Sequence, residues 1–179
     1  VLAPQDPTEI RSAVKAMIEH EGPVYMRIGN PKIPELFEPR PFVIGKGSIL
    51  RDGSDVTIIS TGSTTEAVLQ AAVTLNAQGI DAQVIGMPTV CPIDKELVLE
   101  AARKTGRIIT VEEHYVDGGL GTMVAEVTSA DYPVQVKRLG IPKAYATSGP
   151  YGEILSCYGN ELAALDVSKN AALRSLICN

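Results

Sequence analysis

Residues 54–86 read SDVTIISTGSTTEAVLQAAVTLNAQGIDAQVIG, and the succession of patterns in this stretch decides the fold class. Val56 to Ser60 is a short β-rich apolar run, and Thr61-Gly62-Ser63 breaks it. From Thr65 to Gln78, Ala67, Val68, Ala71, Ala72 and Leu75 recur at helical spacing, with Gly79 as the stop. Ala82 to Ile85 then repeats the strand signal. A strand, a helix and a second strand in this order make a βαβ unit, which requires parallel strands and a right-handed crossover.

The pattern continues downstream. Asp94 caps a helix running through Lys104, Gly106 ends it, and Arg107 to Val111 gives a third strand. Gly118-Gly119-Leu120-Gly121 leads into a helix to about Ser129, and Pro133 precedes a strand over Val134 to Leu139. Tyr151 to Cys157 is expected as a short helix after the Ser148-Gly149-Pro150 turn. The fold class is therefore α/β, a three-layer domain with a mostly parallel sheet.

Upstream the rhythm differs. Asp6-Pro7-Thr8-Glu9 is a helix start, with an N-cap, a Pro at the first position and a Glu in the first turn. The helix should run from Pro7 to Glu19 with Ile10, Ala13, Val14, Met17 and Ile18 inward, and Val24 to Ile28 should follow as a buried strand. Residues 29–42, GNPKIPELFEPRPF, hold four of the 12 prolines and read as a stiff extended linker. One helix and one strand cannot bury a core, so residues 1–40 are expected to be the end of another domain. Residues 41–159 form the body and 160–179 a tail. A start at Val1 without an initiator Met fits a truncated piece or one chain of a multi-chain enzyme.

With 179 residues, 45% of them hydrophobic and 21% charged, the chain has room for about one globular domain and not for a whole large enzyme. Sixteen Lys and Arg against 21 Asp and Glu give a net charge of -5 without a basic block, which argues against nucleic acid as a ligand. No apolar run reaches the roughly 18 residues of a membrane helix, and a cytoplasmic protein is expected. Cys91, Cys157 and Cys178 lack C-x-x-C spacing, so reduced thiols are expected in place of a disulfide framework or a zinc site.

Two places can carry chemistry. The Thr61-Gly62-Ser63 turn precedes a helix N-terminus, where free N–H groups can receive an anion near Ser63 and Thr64; the plainer reading is an N-cap turn. No G-x-G-x-x-G or Walker A pattern accompanies it. The stretch VEEHYVDGGLG, residues 111–121, is the densest polar cluster, placed at a strand's C-terminal end where open α/β sheets bind ligands. His114 beside Glu112 and Glu113 is suited to proton transfer near neutral pH. No partner for a triad or a metal site is placed with it, so a structural or interface loop is the plainer reading. His20, at a helix C-terminus, offsets the helix dipole.

Five ordered stretches together resemble the C-terminal part of transketolase and its thiamine-diphosphate relatives: VLAPQDPTEIRSAV, GPVYMRIGNPKIP, GSDVTIISTGSTTEAV, PTVCPIDKELVLEAARKTGRIITVEEHYVDGGLGTMVAEV and VKRLGIPKAYATSGPYGEILSCYG. They span residues 1 to about 159, and the fourth looks more like transketolase than like 1-deoxyxylulose-5-phosphate synthase or the β subunits of 2-oxoacid dehydrogenases. The resemblance implies the last helix and strand of a pyrimidine-binding domain followed by a transketolase C-terminal domain. The complete enzyme would transfer a two-carbon ketol unit between sugar phosphates of the pentose phosphate pathway, with thiamine diphosphate and Mg. It further implies that these are held by a separate N-terminal section, with no catalytic or cofactor-binding residue in this chain and the isolated chain inactive. A homodimer is implied, with Glu113, His114, Gly118 and Gly119 at the interface.

At one position the sequence departs from the family. Transketolases commonly carry R-x-[GS]-R after this strand, the second arginine gripping the sugar phosphate. Here Arg27-Ile28-Gly29-Asn30 puts Asn30 in that place, so either Lys32 or Arg27 substitutes or the substrate preference differs; the plainer reading of Arg27 is a pair with a carboxylate at the domain boundary. The tail also departs: ELAALDVSKNAALRSLICN resembles one leucine-rich repeat, and an amphipathic helix with Leu162, Leu165, Leu173 and Leu176 inward is the plainer reading. The reading outside catalysis is a non-catalytic dimerisation or interaction domain.

Overall fold

The computed structural model describes residues 1–29 and 32–141. The expectations for Asn30, for a helix over 151–157, for Cys157 and Cys178 and for the tail at 160–179 lie outside the described residues. In chain order the elements are α1 (Pro7–Glu19), β1 (Ser48–Arg51), β2 (Val56–Ser60), a 3-10 turn (Gly62–Thr64), α2 (Thr65–Ala77), β3 (Ala82–Gly86), α3 (Lys95–Thr105), β4 (Arg107–Tyr115), α4 (Leu120–Asp131) and β5 (Gln135–Ile141).

The five strands form one sheet in the order β1-β3-β2-β4-β5. All neighbours are parallel except β1, which runs antiparallel along β3 with Ser48 opposite Gly86. The sequence reading missed β1, a four-residue edge strand that is only half-buried and so lacks a clean apolar run. From β2 the chain moves outward to β3 through α2, then jumps back across β2 to β4 through α3, and on to β5 through α4. The sheet is doubly wound, with a switch point between the C-terminal ends of β2 and β4.

Strand alternation sorts the core into two layers. Ile58, Val84, Ile109 and Val111 pack with Val68, Ala72 and Leu75 of α2. Their neighbours Ile59, Ile85 and Ile108 turn to the other face and pack with Val98, Ala102, Leu120 and Val124 of α3 and α4. Because β2 and β3 are buried on both faces, they read as continuous apolar runs. Each fully buried Ile or Leu contributes about 1.5–3 kcal/mol. The stops are as expected: Gly79 and Gly106 take positive φ after α2 and α3, and the Asp94 carboxylate accepts from the Leu97 N–H.

The front of the chain needs two corrections. α1 forms with Asp6 as its N-cap, but its apolar stripe does not face inward. Ala13 is buried, whereas Val14 is 40% and Ile18 80% exposed, because the helix turns Thr8, Glu9 and Ala13 toward the rest of the molecule. Nor is Val24 to Ile28 a buried strand. It is an extended segment with a single bridge, Met26 to Leu2, and Tyr25 and Ile28 are more than half exposed. One residue of ladder cannot bury a strand that has no further neighbour among the described residues.

Candidate functional site

A ligand of a doubly wound sheet belongs in the crevice at the switch point, and here the protein's own chain fills it. Leu2, Pro4, Gln5 and Asp6 are buried, and Leu2 is not exposed at all. The Gly62 N–H and the Thr61 hydroxyl both donate to the Ala3 carbonyl, at 3.0 and 3.3 Å. The Ala3 N–H in turn donates to the Pro88 carbonyl at 2.7 Å, and the Gln5 amide reaches the Thr65 hydroxyl at 2.6 Å. Gly86 makes room for this: a Cβ there would meet the Gln5 side chain at 2.4 Å.

This arrangement takes up several of the polar groups in the turn at Ser63 and Thr64. The Gly62 N–H serves Ala3, the Thr64 hydroxyl donates to the Thr61 and Val111 carbonyls, and the Ser63 hydroxyl donates to Glu113. The cavity left among Ala3, Arg27, Gly29, Thr61, Ser63 and Glu113 measures about 20 Å³, room for roughly one water.

β4 supplies the two carboxylates and turns them to opposite faces, as alternation requires. Glu112 is 1% exposed and accepts from the N–H groups of Leu120 at 2.7 Å and Gly121 at 2.8 Å, capping α4 with a negative charge at its positive end. Burial raises its pKa above the ordinary 4.5, opposed by those two N–H bonds and by His114 and Arg138 nearby. Gly119 is required by close approach: a Cβ there would lie 1.9 Å from Glu112 Oε2.

Glu113 turns the other way. Its carboxylate accepts from Ser63 Oγ and pairs with the Arg27 guanidinium at 3.4 Å. Arg27 thus has a carboxylate partner in Glu113. His114 is half-exposed, its Nδ1 2.9 Å from the Tyr115 carbonyl and 4.0 Å from Glu112. Gly118 takes a φ of +78° in open space, and its N–H donates to the Thr122 hydroxyl at 2.9 Å. The structure thus brings Arg27, Ser63 and Glu113 together on one side of β4 and sets His114 and Gly119 beside Glu112 on the other, with Gly118 exposed in the loop. Sequence reasoning missed Leu2 and Gln5, since a leucine and a glutamine before a helix carry no signal of docking on a distant sheet.

At the switch point the described residues leave no space for thiamine diphosphate. The switch-point crevice is filled, the adjoining cavity is water-sized, and no group of three His, Cys, Asp or Glu is placed to hold a metal among the described residues. No helix among them is long and apolar enough to cross a membrane.

Fold and site together define a doubly wound α/β domain whose ligand crevice is closed by the extended front segment of the chain. The chain belongs to the transketolase C-terminal domain family: the profile described as "Transketolase, C-terminal domain" matches residues 45–164. It is 41% identical over 161 residues to a component chain of the apulose-4-phosphate transketolase of Phocaeicola vulgatus, covering 89% of this chain and 51% of that protein. It is 40% identical over 178 residues to 1-deoxy-D-xylulose-5-phosphate synthase 1 of Geobacter sulfurreducens, covering 97% of this chain and 28% of that one. A solved structure described as a split gene transketolase, inactive beta4 tetramer, superposes with a TM-score of 0.89 at 40% identity, covering 99% of this chain and 56% of that chain. The chain therefore spans about half the length of the split transketolase proteins it matches.

Proposed function

We propose that this chain is the C-terminal section of a thiamine-diphosphate-dependent transketolase, acting with a thiamine-binding section in two-carbon ketol transfer between sugar phosphates of the pentose phosphate pathway. The observation that carries the division of labour is the occupied crevice: the Ala3 carbonyl takes up the Gly62 N–H and the Thr61 hydroxyl there. The cofactor and Mg then belong to the partner section, this chain supplies packing and the dimer contact, and alone it is inactive. Residues 1–40 are the close of the pyrimidine-binding domain and residues 41–159 the C-terminal domain. The similarity to one component of a transketolase made of separate chains supports a partner chain, in a cytoplasmic setting.

Within this reading Arg27 and Asn30 are the substrate-binding residues, and Arg27 is paired with Glu113. Glu113, His114, Gly118 and Gly119, at the end of β4 and in the loop after it, are the residues that meet a second copy in a homodimer. A second reading is a section of a 1-deoxyxylulose-5-phosphate synthase, favoured by the match to the Geobacter sulfurreducens protein over almost the whole chain. A ketol-transfer assay with xylulose 5-phosphate, ribose 5-phosphate, thiamine diphosphate and magnesium separates them. Activity only after mixing with the thiamine-binding section is expected. Release of carbon dioxide from pyruvate in place of ketol transfer favours the synthase, and silence with a folded dimer favours a non-catalytic association domain.

A further inference from the structure

A cleft of about 400 Å³ runs between α1 and the linker, within the roughly 300–1,000 Å³ range of small-molecule sites. Ser12, Lys15, Ala16 and Glu19 line it from the helix, at intervals of three and four residues that put them on one face. At about 100° per residue that face is centred about 150° around the helix from Ile10, Val14 and Ile18, so the cleft is separate from the uncovered apolar stripe. Across from it, residues 39–42 contribute two prolines, the half-buried Phe42 ring and the Arg40 guanidinium.

Arg40 is already oriented. It donates to Glu9 Oε1 at 3.3 Å and lies over the Phe37 ring, 4.5 Å from its centroid. Glu9 is 5% exposed and is itself fixed by the Gln5 N–H at 2.8 Å. A guanidinium carries a planar fork of five N–H donors, so one bond to Glu9 leaves others for a ligand. The Lys15 ammonium and the Ser12 hydroxyl have no partner among the described residues. Glu19, one turn beyond Lys15, is the carboxylate that lines the cleft and opposes an anion there. We propose that this cleft binds a small organic carboxylate with a flat apolar body. The carboxylate meets Arg40, Lys15 and Ser12, and the body lies on Phe42, Ala16 and the two prolines. A phosphate ester of a sugar fits less well, because it has no apolar part to cover that floor and Glu19 repels its second negative charge. Since one wall is α1 and the other the linker, the bound ligand ties the two together.

The probe is benzoate, titrated into the isotope-labelled full chain and followed by backbone amide shifts, with acetate and benzyl alcohol as the charge-only and body-only controls. Benzoate is expected to move the amides of Ser12, Lys15, Ala16, Arg40 and Phe42 with a Kd of about 1 mM or below, and about tenfold tighter than either control. Lys15→Met keeps the apolar stem and removes the charge, and should weaken benzoate about fivefold. Glu19→Gln should tighten it about twofold. Both side chains are exposed, and unchanged amide shifts in β2 and β4 check that each variant keeps the fold. No saturable shift at these amides up to about 20 mM benzoate overturns the proposal. Equal affinity for benzoate and benzyl alcohol does so as well, since it would mark an apolar contact without recognition of the charge. Benzoate binding as tightly to Lys15→Met as to the unaltered chain, or no more tightly to Glu19→Gln, would put the carboxylate elsewhere and overturn it too.

Discussion

Glu112 is held where ionisation is costly, and the sign of its effect follows from its environment. Burial raises its pKa above 4.5 despite the Gly121 and Leu120 N–H bonds, so the folded chain binds this proton more tightly than the unfolded chain. Stability contributed by the group is therefore greatest at low pH and falls as pH rises from about the ordinary carboxylate value through the raised folded one. Glu9, also raised chiefly by burial, adds a slope of the same sign. Glu112→Gln should flatten the fall measured by urea unfolding at a series of pH values between about 4 and 7, leaving the part due to Glu9; an unaltered slope would show that Glu112 does not titrate in this range. The sequence showed two carboxylates beside a histidine but not that Glu112 turns in to α4 while Glu113 turns out to Ser63 and Arg27. Which of two neighbours on a strand faces inward depends on the register with β5 and on the loop that follows, and neither is written in the local pattern.

The elements were legible where local chemistry punctuates them. Asp6 and Asp94 cap α1 and α3, Gly79 and Gly106 stop α2 and α3, and the double-faced apolar runs of β2 and β3 announce buried parallel strands. β4 ran four residues beyond expectation, to Tyr115, because Tyr115 pairs with Ile141 past a register shift, a long-range contact with no local signal. The apolar stripe of α1 misled for the opposite reason: periodicity reports that a face is fit for burial, not what covers it. Val14 and Ile18 stand one turn apart on that uncovered face. Ile18→Glu is accordingly expected to change the unfolding free energy of the chain by no more than about 0.5 kcal/mol. A loss of about 2 kcal/mol or more in urea titration would mean that residues of this same chain bury the stripe in solution.

Residues 1–29 and the sheet domain are joined by contacts that run through the crevice: Leu2 bonds Tyr25 and Arg27, Ala3 bonds Pro88 and Gly62, Gln5 bonds Thr65, and Arg27 meets Glu113. Asp6 adds the linker, accepting from the Leu36 and Phe37 N–H groups at 2.7 and 3.0 Å. The front segment has no core of its own, so its order is borrowed from the sheet, and the sheet in turn has its open end sealed. Leu2 is the apolar centre of that seal, fully buried between Met26 and Thr89. Leu2→Ala should cost about 2–5 kcal/mol if the two parts unfold as one unit. The loss should also be uneven below global unfolding, with the Arg27 and Ala3 amides exchanging far faster than those of Ile58 and Ile59 in β2, whose bonds lie inside the sheet. Equal acceleration at all four amides would show the seal to be part of the sheet's own stability. Selective acceleration at Arg27 and Ala3 would show that the crevice can open while the domain stays folded.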